Sequence, residues 1–329
     1  MGAEPAKPAL QASADPLVSV VLPTFNRART LPRAIASVLH QGYRHLELLI
    51  VDDGSTDDTA AVIAGFTDPR VRYIPLAKNG GASHARNAGM RESKGEFIAF
   101  QDSDDEWLDG KLEKQVRAAL AAGDSAVTVF HSKILYGRDD QGRYGPHRVC
   151  CLPSIPDVPE QNFIQLIHRG NLISPQALLI SREAFNLAGF FDEDLINNED
   201  WAFGIDLFYA SKVVFIDEPL VMTYLQNDSV SRLMLRGARA QIRVMQKLRR
   251  HSDFAPAVLA AHLGRIGWGV AKLGYPKRGQ RLLGMALRLQ PKNLRNWARA
   301  VVARLVLATK NNRTGGPGPL SGVRSRKTE

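Results

Sequence analysis

The sequence has very little cysteine, no long apolar run and almost no acidic residue in its last third. Cys150 and Cys151 are the two cysteines among 329 residues, and two adjacent cysteines do not form a disulfide framework. No apolar run reaches the ~20 residues that span a bilayer. The first 16 residues, rich in alanine and proline, contain no apolar signal-peptide core. These absences predict a cytoplasmic protein with reduced thiols and a disordered lead-in over 1–16.

The shortage of acidic residues gives the two ends of the chain opposite charge. Residues 232–329 contain 22 Lys or Arg and only Asp253 and Glu329 as acids, whereas 1–231 contain 21 basic and 31 acidic residues. A basic segment of this kind favours an anionic partner. Because Leu, Ile, Val and Trp alternate with Arg at helical spacing, we expect peripheral contact with an anionic membrane surface, at the inner face of the cell membrane. Solvated helices are the alternative, and nucleic acid is not expected as a partner.

Short apolar runs alternate with helical patterns in the first half of the chain. This alternation predicts an α/β fold with a mostly parallel, Rossmann-like sheet covered by helices on both faces. Ligands of such sheets collect at the carboxyl ends of the strands. The predicted strands are 17–22, 46–51, 71–74 and 97–101, and the predicted helices between them are 30–39, 59–66 and 82–92.

The second half of the chain is less clearly patterned. Strands are expected near 126–130, 177–181 and 213–216, with a helix at 201–210. Glycine, proline and charged residues predict a long loop over 137–160. The pattern is helical from 232 to 310, and 311–329 is expected to be disordered.

Three carboxylates follow the apolar run that ends at Phe100. Asp102, Asp104 and Asp105 would repel one another at a strand end unless a cation shares the cluster. Oxygen ligands of this kind suit Mg²⁺ or Mn²⁺, which commonly hold the phosphates of a substrate. The alternative is an acidic turn that leads into a helix near Trp107.

Five sequence motifs follow one another in a fixed order. They are VSVVLPTFNRARTLPRAIASVLHQ at 18–41, LELLIVDDGSTDDT at 46–59, NGGASHARNAG at 79–89, GEFIAFQDSDDEW at 95–107 and NNEDW at 197–201. With these motifs the chain resembles, over Val18 to Ser231, the inverting GT-A-type glycosyltransferases of family 2, which implies a GT-A fold and a nucleotide-sugar donor. The resemblance divides the chain into a nucleotide-binding half over 17–110, an acceptor half over 111–231 and a C-terminal helical extension.

The resemblance implies a donor site on the strand ends. Asp53, with Asp52 as the alternative, would accept hydrogen bonds from a uracil-like base, although both could instead cap the following helix. Arg86 would lie near the base or the phosphates, with a surface arginine as the alternative. The remaining donor-site residues that the resemblance implies are Pro23, Thr24, Phe25, Asn26, Asp102 and Ser103.

The metal and the catalytic base are also implied by the resemblance. The Asp-X-Asp motif is Asp102-Ser103-Asp104, in which Asp104 would reach Mn²⁺ or Mg²⁺, Asp102 would lie closer to the ribose, and Asp105 is an alternative ligand. The ion would act as a Lewis acid on the departing diphosphate. Asp200 would be the general base of an inverting transfer to a hydroxyl of a glycan or lipid-linked acceptor.

Residues next to Asp200 have supporting roles in this interpretation. Glu199 would hydrogen-bond within the site, and Trp201 would line it or belong to the core. A helix that begins near Trp201 favours a carboxylate at its N-terminus, so Asp200 could also be a simple cap.

One departure from the family pattern lies after the last core strand. The family often has Tyr-Arg-X-His there, whereas this chain has Leu225 and Asn227 at the arginine and histidine positions; Arg232 is the alternative cation. A sugar-phosphate nucleotidyltransferase is a rival interpretation, but such enzymes open with a Gly-rich basic loop where this chain has LPTFNRA. A non-catalytic glycan-binding or scaffold protein is the second rival, although all the acidic motifs are present.

Overall fold

The computed structural model describes residues 15–138, 144–150, 162–224 and 234–313. Contacts divide the chain into two compact units, Met1–Phe254 and Ala255–Glu329. Residues 1–14 of the predicted lead-in over 1–16 lie outside the described residues, as do the departures at Leu225, Asn227 and Arg232 and the tail beyond 313.

Within the described residues, nine strands form one sheet in the first unit. Its main path runs β3-β2-β1-β4-β8-β6-β9-β5, and β7 pairs with β6. The strands are β1 Val18–Thr24, β2 Leu46–Asp52, β3 Val71–Pro75, β4 Phe97–Phe100, β5 Glu106–Trp107, β6 Val127–Arg138, β7 Tyr144–Cys150, β8 Leu179–Ser181 and β9 Lys212–Tyr224.

Helices cover this sheet and build the second unit. The first unit has α1 Leu31–Leu39, α2 Thr59–Ala64, α3 Ala82–Glu92, α4 Lys111–Ala122, α5 Phe163–Arg169, α6 Arg182–Ala188, α7 Glu199–Ala210 and α8 Met234–Leu248, and the second has α9 Pro256–Lys272, α10 Pro276–Leu289 and α11 Leu294–Arg313. A 3-10 turn occupies Pro175–Ala177. Helix α8 packs on α7 within the first unit, although the sequence places it at the start of the basic extension.

The predicted parallel α/β architecture is confirmed in the first half of the sheet. Strands β1, β2, β3 and β4 pair in parallel, and every residue of β1 and β2 is buried. Continuous apolar runs form such strands because both faces of the sheet are covered. Helix α1 begins with Pro32 in its first turn, where a missing N–H costs nothing. Its buried stripe of Leu31, Ile35 and Val38 joins the main core.

The second half of the sheet is mixed. Strand β8 pairs antiparallel with both β4 and β6, and β6 pairs in parallel with β9. The loop prediction over 137–160 was wrong for 144–150, where β7 pairs antiparallel with β6. Its glycine and proline are typical of loops, so the local sequence does not indicate a strand. The strand depends on pairing with β6, which local patterns do not predict.

The second unit is a small helical bundle. Helices α9 and α10 cross closely at Gly267 and Gly279. A Cβ on Gly279 would lie only 2.5 Å from the Gly267 carbonyl oxygen, so the crossing requires a residue without a side chain there. Ala271, Leu283 and Ala303 form the core between the three helices. Among the residues that the structure describes, no helix is both long and apolar enough to cross a membrane.

A valine at Gly89 should destabilise the first unit. Helix α3 crosses the sheet so closely that a Cβ there would lie 2.5 Å from Val21 Cγ1 and 3.0 Å from Val51 Cγ2. Overpacking of this kind costs about 1–3 kcal/mol, so Gly89→Val should lower the free energy of unfolding measured with denaturant by that amount. Gly237 in α8 has no atom within 4 Å of an added Cβ. Gly237→Ala is therefore the matched control, and an equal loss in both variants would contradict the packing.

Candidate functional site

The loops after β1 and β2 are bound to each other at one edge of the sheet. The Asn26 backbone N–H donates to Ser55 Oγ at 2.9 Å, and Asn26 Oδ1 accepts from the Thr56 N–H at 2.8 Å. Asn26 adopts a left-handed backbone conformation with φ 51°, which asparagine tolerates better than most residues. Asn26 therefore joins the polar segments that follow β1 and β2.

Phe25 presents an exposed ring directly beyond β1. Pro23 and Thr24 are buried within the strand, whereas Phe25 and Tyr73, which lies on β3, are exposed. An exposed aromatic ring beside a polar strand end offers a face on which a planar base can stack. The donor-binding roles of these residues stay predictions.

Asp52 and Asp53 are buried and held by donors of the protein. Asp52 accepts from the Tyr73 hydroxyl at 2.9 Å, and Asp53 accepts from the backbone N–H groups of Gly80 at 2.9 Å and Gly81 at 2.7 Å. A carboxylate oxygen has two acceptor positions. These bonds therefore fix the two carboxylates and still leave acceptor capacity for a ligand, so base binding stays a prediction for both.

The three carboxylates after β4 have different surroundings. The side chains of Asp102 and Asp104 are 23% and 25% exposed, whereas Asp105 is 2% exposed. Ser103 is buried between the first two. The cluster therefore presents two accessible carboxylates and one that is enclosed.

Asp105 is hydrogen-bonded to β9 and to the 3-10 turn that precedes β8. Its carboxylate accepts from Gln176 Nε2 at 2.7 Å, from Thr223 Oγ1 at 3.0 Å and from the Tyr224 N–H at 3.1 Å. Burial, followed by the charges of the two neighbouring aspartates, raises the pKa of Asp105 to about 8. These hydrogen bonds fasten the acidic turn to β9, and of the two alternative metal ligands Asp104 is the accessible one, so the choice between them stays a prediction.

Arg27, in the loop after β1, and Arg33, in the first turn of α1, reach the acidic turn. Arg33 Nη2 donates to the Asp104 backbone carbonyl at 2.5 Å, and Arg27 Nη2 lies 4.0 Å from Asp104 Oδ2. The Arg33 guanidinium also stacks over the Tyr224 ring, 3.6 Å from its centroid. These cations offset the charge of the cluster and lie where an anionic ligand would approach it.

Arg86 connects the acidic turn to the second acidic motif. It is buried, with Nη2 2.9 Å from Asp102 Oδ1 and Nη1 3.6 Å from Glu199 Oε1. Burial alone would lower the pKa of Arg86, but the charges of Asp102, Glu199 and Asp200 outweigh that effect and raise it. Arg86 is therefore not the surface arginine that the sequence left as an alternative, because it holds the two predicted halves of the site together.

Glu199 and Asp200 lie in the first turn of α7. The chain enters this helix through Asn198 in a left-handed conformation with φ 62°, and the Asn198 side chain does not cap the helix. Asp200 Oδ1 accepts from the Trp201 backbone N–H at 2.7 Å, and the nearby Asn171 side chain lowers the pKa of Asp200. Asp200 therefore satisfies an N–H of the first helical turn from inside the helix, whereas the N-cap position is occupied by Asn198.

Both carboxyl groups hold their protons more strongly than usual. Burial is the largest cause that raises the pKa of Asp200, and it outweighs the Asn171 hydrogen bond and the charges of Arg86 and Lys133, which lower it. Burial and the neighbouring Asp200 charge raise the pKa of Glu199. A raised pKa brings a carboxylate closer to the range of an effective general base.

Trp201 is a core residue. It is buried, and its Nε1–H donates to the Ile167 carbonyl at 2.7 Å. Its support of the site is the packing that fixes the start of α7. Trp107 is also buried, with the Lys111 ammonium 3.9 Å from its ring centroid.

The donor set at the acidic turn suits a divalent ion that is completed by a ligand. Among the described residues, no group of three His, Cys, Asp or Glu side chains is arranged to hold a metal. Mg²⁺ sites with one or two carboxylates and substrate phosphates do not need such a group. The accessible carboxylates of Asp102 and Asp104 fit this second kind of site.

Several residues of the site were missed by the sequence analysis. Lys133 on β6 and Asn171 before the 3-10 turn both affect Asp200, and Gln176 and Thr223 anchor Asp105. They come from β6, β9 and the segment before β8, whose neighbours in the sheet are distant in sequence. Arg27 had a local signal, because it directly follows the polar end of β1.

Exchange of Asp104 and Asp105 for asparagine should separate binding from stability. Asp105→Asn faces three donors with one acceptor oxygen fewer, so melting should show a loss of about 1–3 kcal/mol while Mn²⁺-dependent binding of UDP persists. Asp104→Asn should keep its stability against melting and lose Mn²⁺-dependent binding of UDP. Asp109→Asn, at an exposed neighbouring carboxylate, is the control and should change neither. Loss of metal-dependent binding in Asp105→Asn alone would assign the ion to Asp105.

Solved structures with low sequence identity share this fold. Staphylococcus aureus TarS (residues 1-349), solved in complex with UDP-GlcNAc, superposes with a TM-score of 0.65 at 17% identity, over 90% of this chain and 92% of that one. The mannosyltransferase PcManGT from Pyrobaculum calidifontis, solved with GDP-Man and Mn²⁺, gives a TM-score of 0.57 at 17% identity, over 94% and 92% of the two chains. The predicted GT-A fold is confirmed.

Sequence comparison gives the family. The chain is 42% identical over 106 residues to the Escherichia coli enzyme named UDP-Glc:alpha-D-GlcNAc-diphosphoundecaprenol beta-1,3-glucosyltransferase WfgD, a match that covers 32% of this chain and 42% of that enzyme. The chain thus matches less than half the length of this relative. The model of Glycosyl transferase family 2 matches residues 19–185, about half of the chain. Together with the acidic motifs on a GT-A sheet, this match shows that the chain belongs to glycosyltransferase family 2.

Proposed function

We propose that this protein is an inverting glycosyltransferase that moves a sugar from a nucleotide-sugar to a hydroxyl acceptor. The observation that carries the proposal is the buried Arg86, which lies 2.9 Å from Asp102 and 3.6 Å from Glu199. It brings the acidic turn and the start of α7, more than 90 residues apart in sequence, to one place, which supports the proposed roles of these two segments in diphosphate binding and as the general base.

The donor is proposed to be a UDP-sugar. The exposed Phe25 ring and the fixed carboxylates of Asp52 and Asp53 supply a stacking face and hydrogen-bond acceptors for a base. Arg27 lies near the acidic turn, where the diphosphate would approach. The UDP-GlcNAc complex of TarS and the UDP-Glc donor in the name of the E. coli relative support uracil as the base.

A divalent ion would be held by Asp104 and Asp102. When bound, Mn²⁺ or Mg²⁺ supplies Lewis-acid stabilisation of the diphosphate as it leaves. Support comes from the accessible carboxylates and from the Mn²⁺ in the structure of PcManGT. Ser103 and Asp105 hold the turn from within the protein, and Arg33 fixes its backbone.

Asp200 is the proposed general base. Its carboxylate takes the proton of the acceptor hydroxyl while that oxygen forms a bond to the anomeric carbon. The bond from the anomeric carbon to the diphosphate breaks, and its electron pair leaves with the nucleotide. Attack opposite the leaving group inverts the anomeric configuration. Asn171 orients the carboxylate, and Glu199 pairs with Arg86.

The acceptor is proposed to be a lipid-linked glycan at the inner face of the cell membrane. The E. coli relative is named for a diphosphoundecaprenol-linked acceptor. The basic C-terminal segment supports peripheral association with an anionic bilayer, where such acceptors would be concentrated.

Asp200→Asn should retain the fold and the donor site but lose transfer. Loss of the base should lower kcat by about 10²–10⁴, because general-base assistance is typically of that size. The measurement is turnover against a panel of nucleotide-sugars, with UDP binding by calorimetry as the check on the donor site. Asp124→Asn, a surface carboxylate paired with Lys212, is the control. Turnover of Asp200→Asn at the rate of the control would remove Asp200 as the base.

The acid limb of the pH–rate profile should report the pKa of Asp200. Since burial raises that pKa, kcat/KM should fall with decreasing pH sooner than an ordinary aspartate would predict. The Asn171 hydrogen bond lowers the pKa, so Asn171→Ala should move the limb to higher pH. Asn162→Ala, which removes the cap of α5, should leave it in place. A limb that moves to lower pH in Asn171→Ala would contradict this assignment.

A further inference from the structure

The outward face of α11 is apolar. Four side chains on it are strongly exposed, although helices of a water-soluble surface normally turn polar residues outward. The opposite face packs inward through the buried Asn296 and Ala303. These four side chains are Leu294 (82%), Trp297 (48%), Val301 (50%) and Leu305 (61%), and Val302 (42%), which follows Val301, is exposed as well.

These four residues form one continuous stripe. Their spacing of three, four and four positions places them on one side of the helix. At ~1.5 Å per residue, the stripe from Leu294 to Leu305 is about 16 Å long. Scattered exposed hydrophobic residues need no explanation, but a contiguous row of this length indicates a contact surface.

The tryptophan of the stripe is suited to an apolar environment. Trp297 Nε1–H donates to the Pro291 carbonyl at 2.7 Å. Its one polar group is therefore already satisfied, and the exposed part of the ring can leave water without the loss of a hydrogen bond.

The charged residues of the chain segment that contains the stripe are all basic. No acidic residue occurs from 254 to 328, whereas 15 Lys or Arg do. The helical period places the exposed Arg295 at one edge of the stripe and the exposed Arg304 at the other. A second copy of this chain would bring the same positive charge to the contact, so self-association through this face is unfavourable, whereas an anionic surface is complementary.

We propose that the stripe Leu294–Trp297–Val301–Leu305 inserts into the interfacial region of an anionic lipid bilayer, with α11 lying in the plane of the membrane. Apolar side chains on one face and arginines at its edges are the features of interfacial helices. Arg295 and Arg304 then contact lipid phosphates. The inference extends the proposed membrane association by naming the surface, and vesicle binding tests it without donor, metal or turnover.

The test compares binding of the full chain to phosphatidylcholine vesicles with and without phosphatidylglycerol, at low and high salt. Wild type should bind only the anionic vesicles, and salt should weaken that binding. The double variant Val301→Asp with Leu305→Asp should lose roughly tenfold or more in partitioning. The matched control, Ala257→Asp with Ala261→Asp, makes the same change of charge at exposed positions of α9 and should lose clearly less.

Tryptophan fluorescence tests the insertion itself. In a Trp268→Phe background, which removes the half-buried tryptophan of α9, brominated lipids should quench the fluorescence of Trp297. The further change Trp297→Phe should still allow binding but abolish that quenching, because Trp107 and Trp201 are buried. Equal binding to neutral vesicles, equal loss in the two double variants, or quenching that persists in Trp297→Phe would overturn the proposal. A wild-type dimer in sedimentation that dissociates in the stripe variant would also overturn the proposal, because the stripe would then bind a second copy of the chain.

Discussion

The site depends on one buried cation among five carboxyl groups. Without Arg86, the carboxylates of Asp102 and Glu199 would face each other across a partly buried space, and their repulsion would favour separation of the acidic turn from α7. Removal of one partner from a buried ion pair typically costs about 3–5 kcal/mol, because the remaining charge is left uncompensated. Arg86 therefore sets both the position of the acidic turn and the surroundings in which Asp200 titrates.

The carboxyl groups of this site do different work because their surroundings differ. Asp105 is enclosed and bound by three donors of the protein, so it fastens the turn, whereas Asp104 remains accessible. Among the described residues, two that are not glycine adopt a left-handed conformation. They are Asn26, directly after β1, and Asn198, directly before α7, so each adjoins a segment that carries site residues. Such conformations persist only where the surroundings enforce them, which fits loops that must present polar groups at fixed positions.

Much of this arrangement could be predicted from the sequence, because its determinants are local. Continuous apolar strands, each followed by polar residues, predicted the parallel half of the sheet and the edge at which the polar strand ends lie. The enclosure of Asp105 could not be predicted, because Gln176 and Thr223 reach it only through the antiparallel and crossed pairing of β8, β6 and β9. Strand β7 was missed for the same reason. The outward apolar face of α11 also required the structure, since periodicity alone does not tell which face packs inward.

If the acidic turn and the start of α7 act on one substrate, both should surround a bound nucleotide diphosphate. A crystal structure with UDP and Mn²⁺, in which anomalous scattering locates the ion, tests this. We expect a manganese peak within coordination distance of Asp104 and of the diphosphate, with the side of the diphosphate that would carry the sugar facing Asp200. A diphosphate bound away from Asp102 and Asp104, or an ion held by other residues, would contradict this.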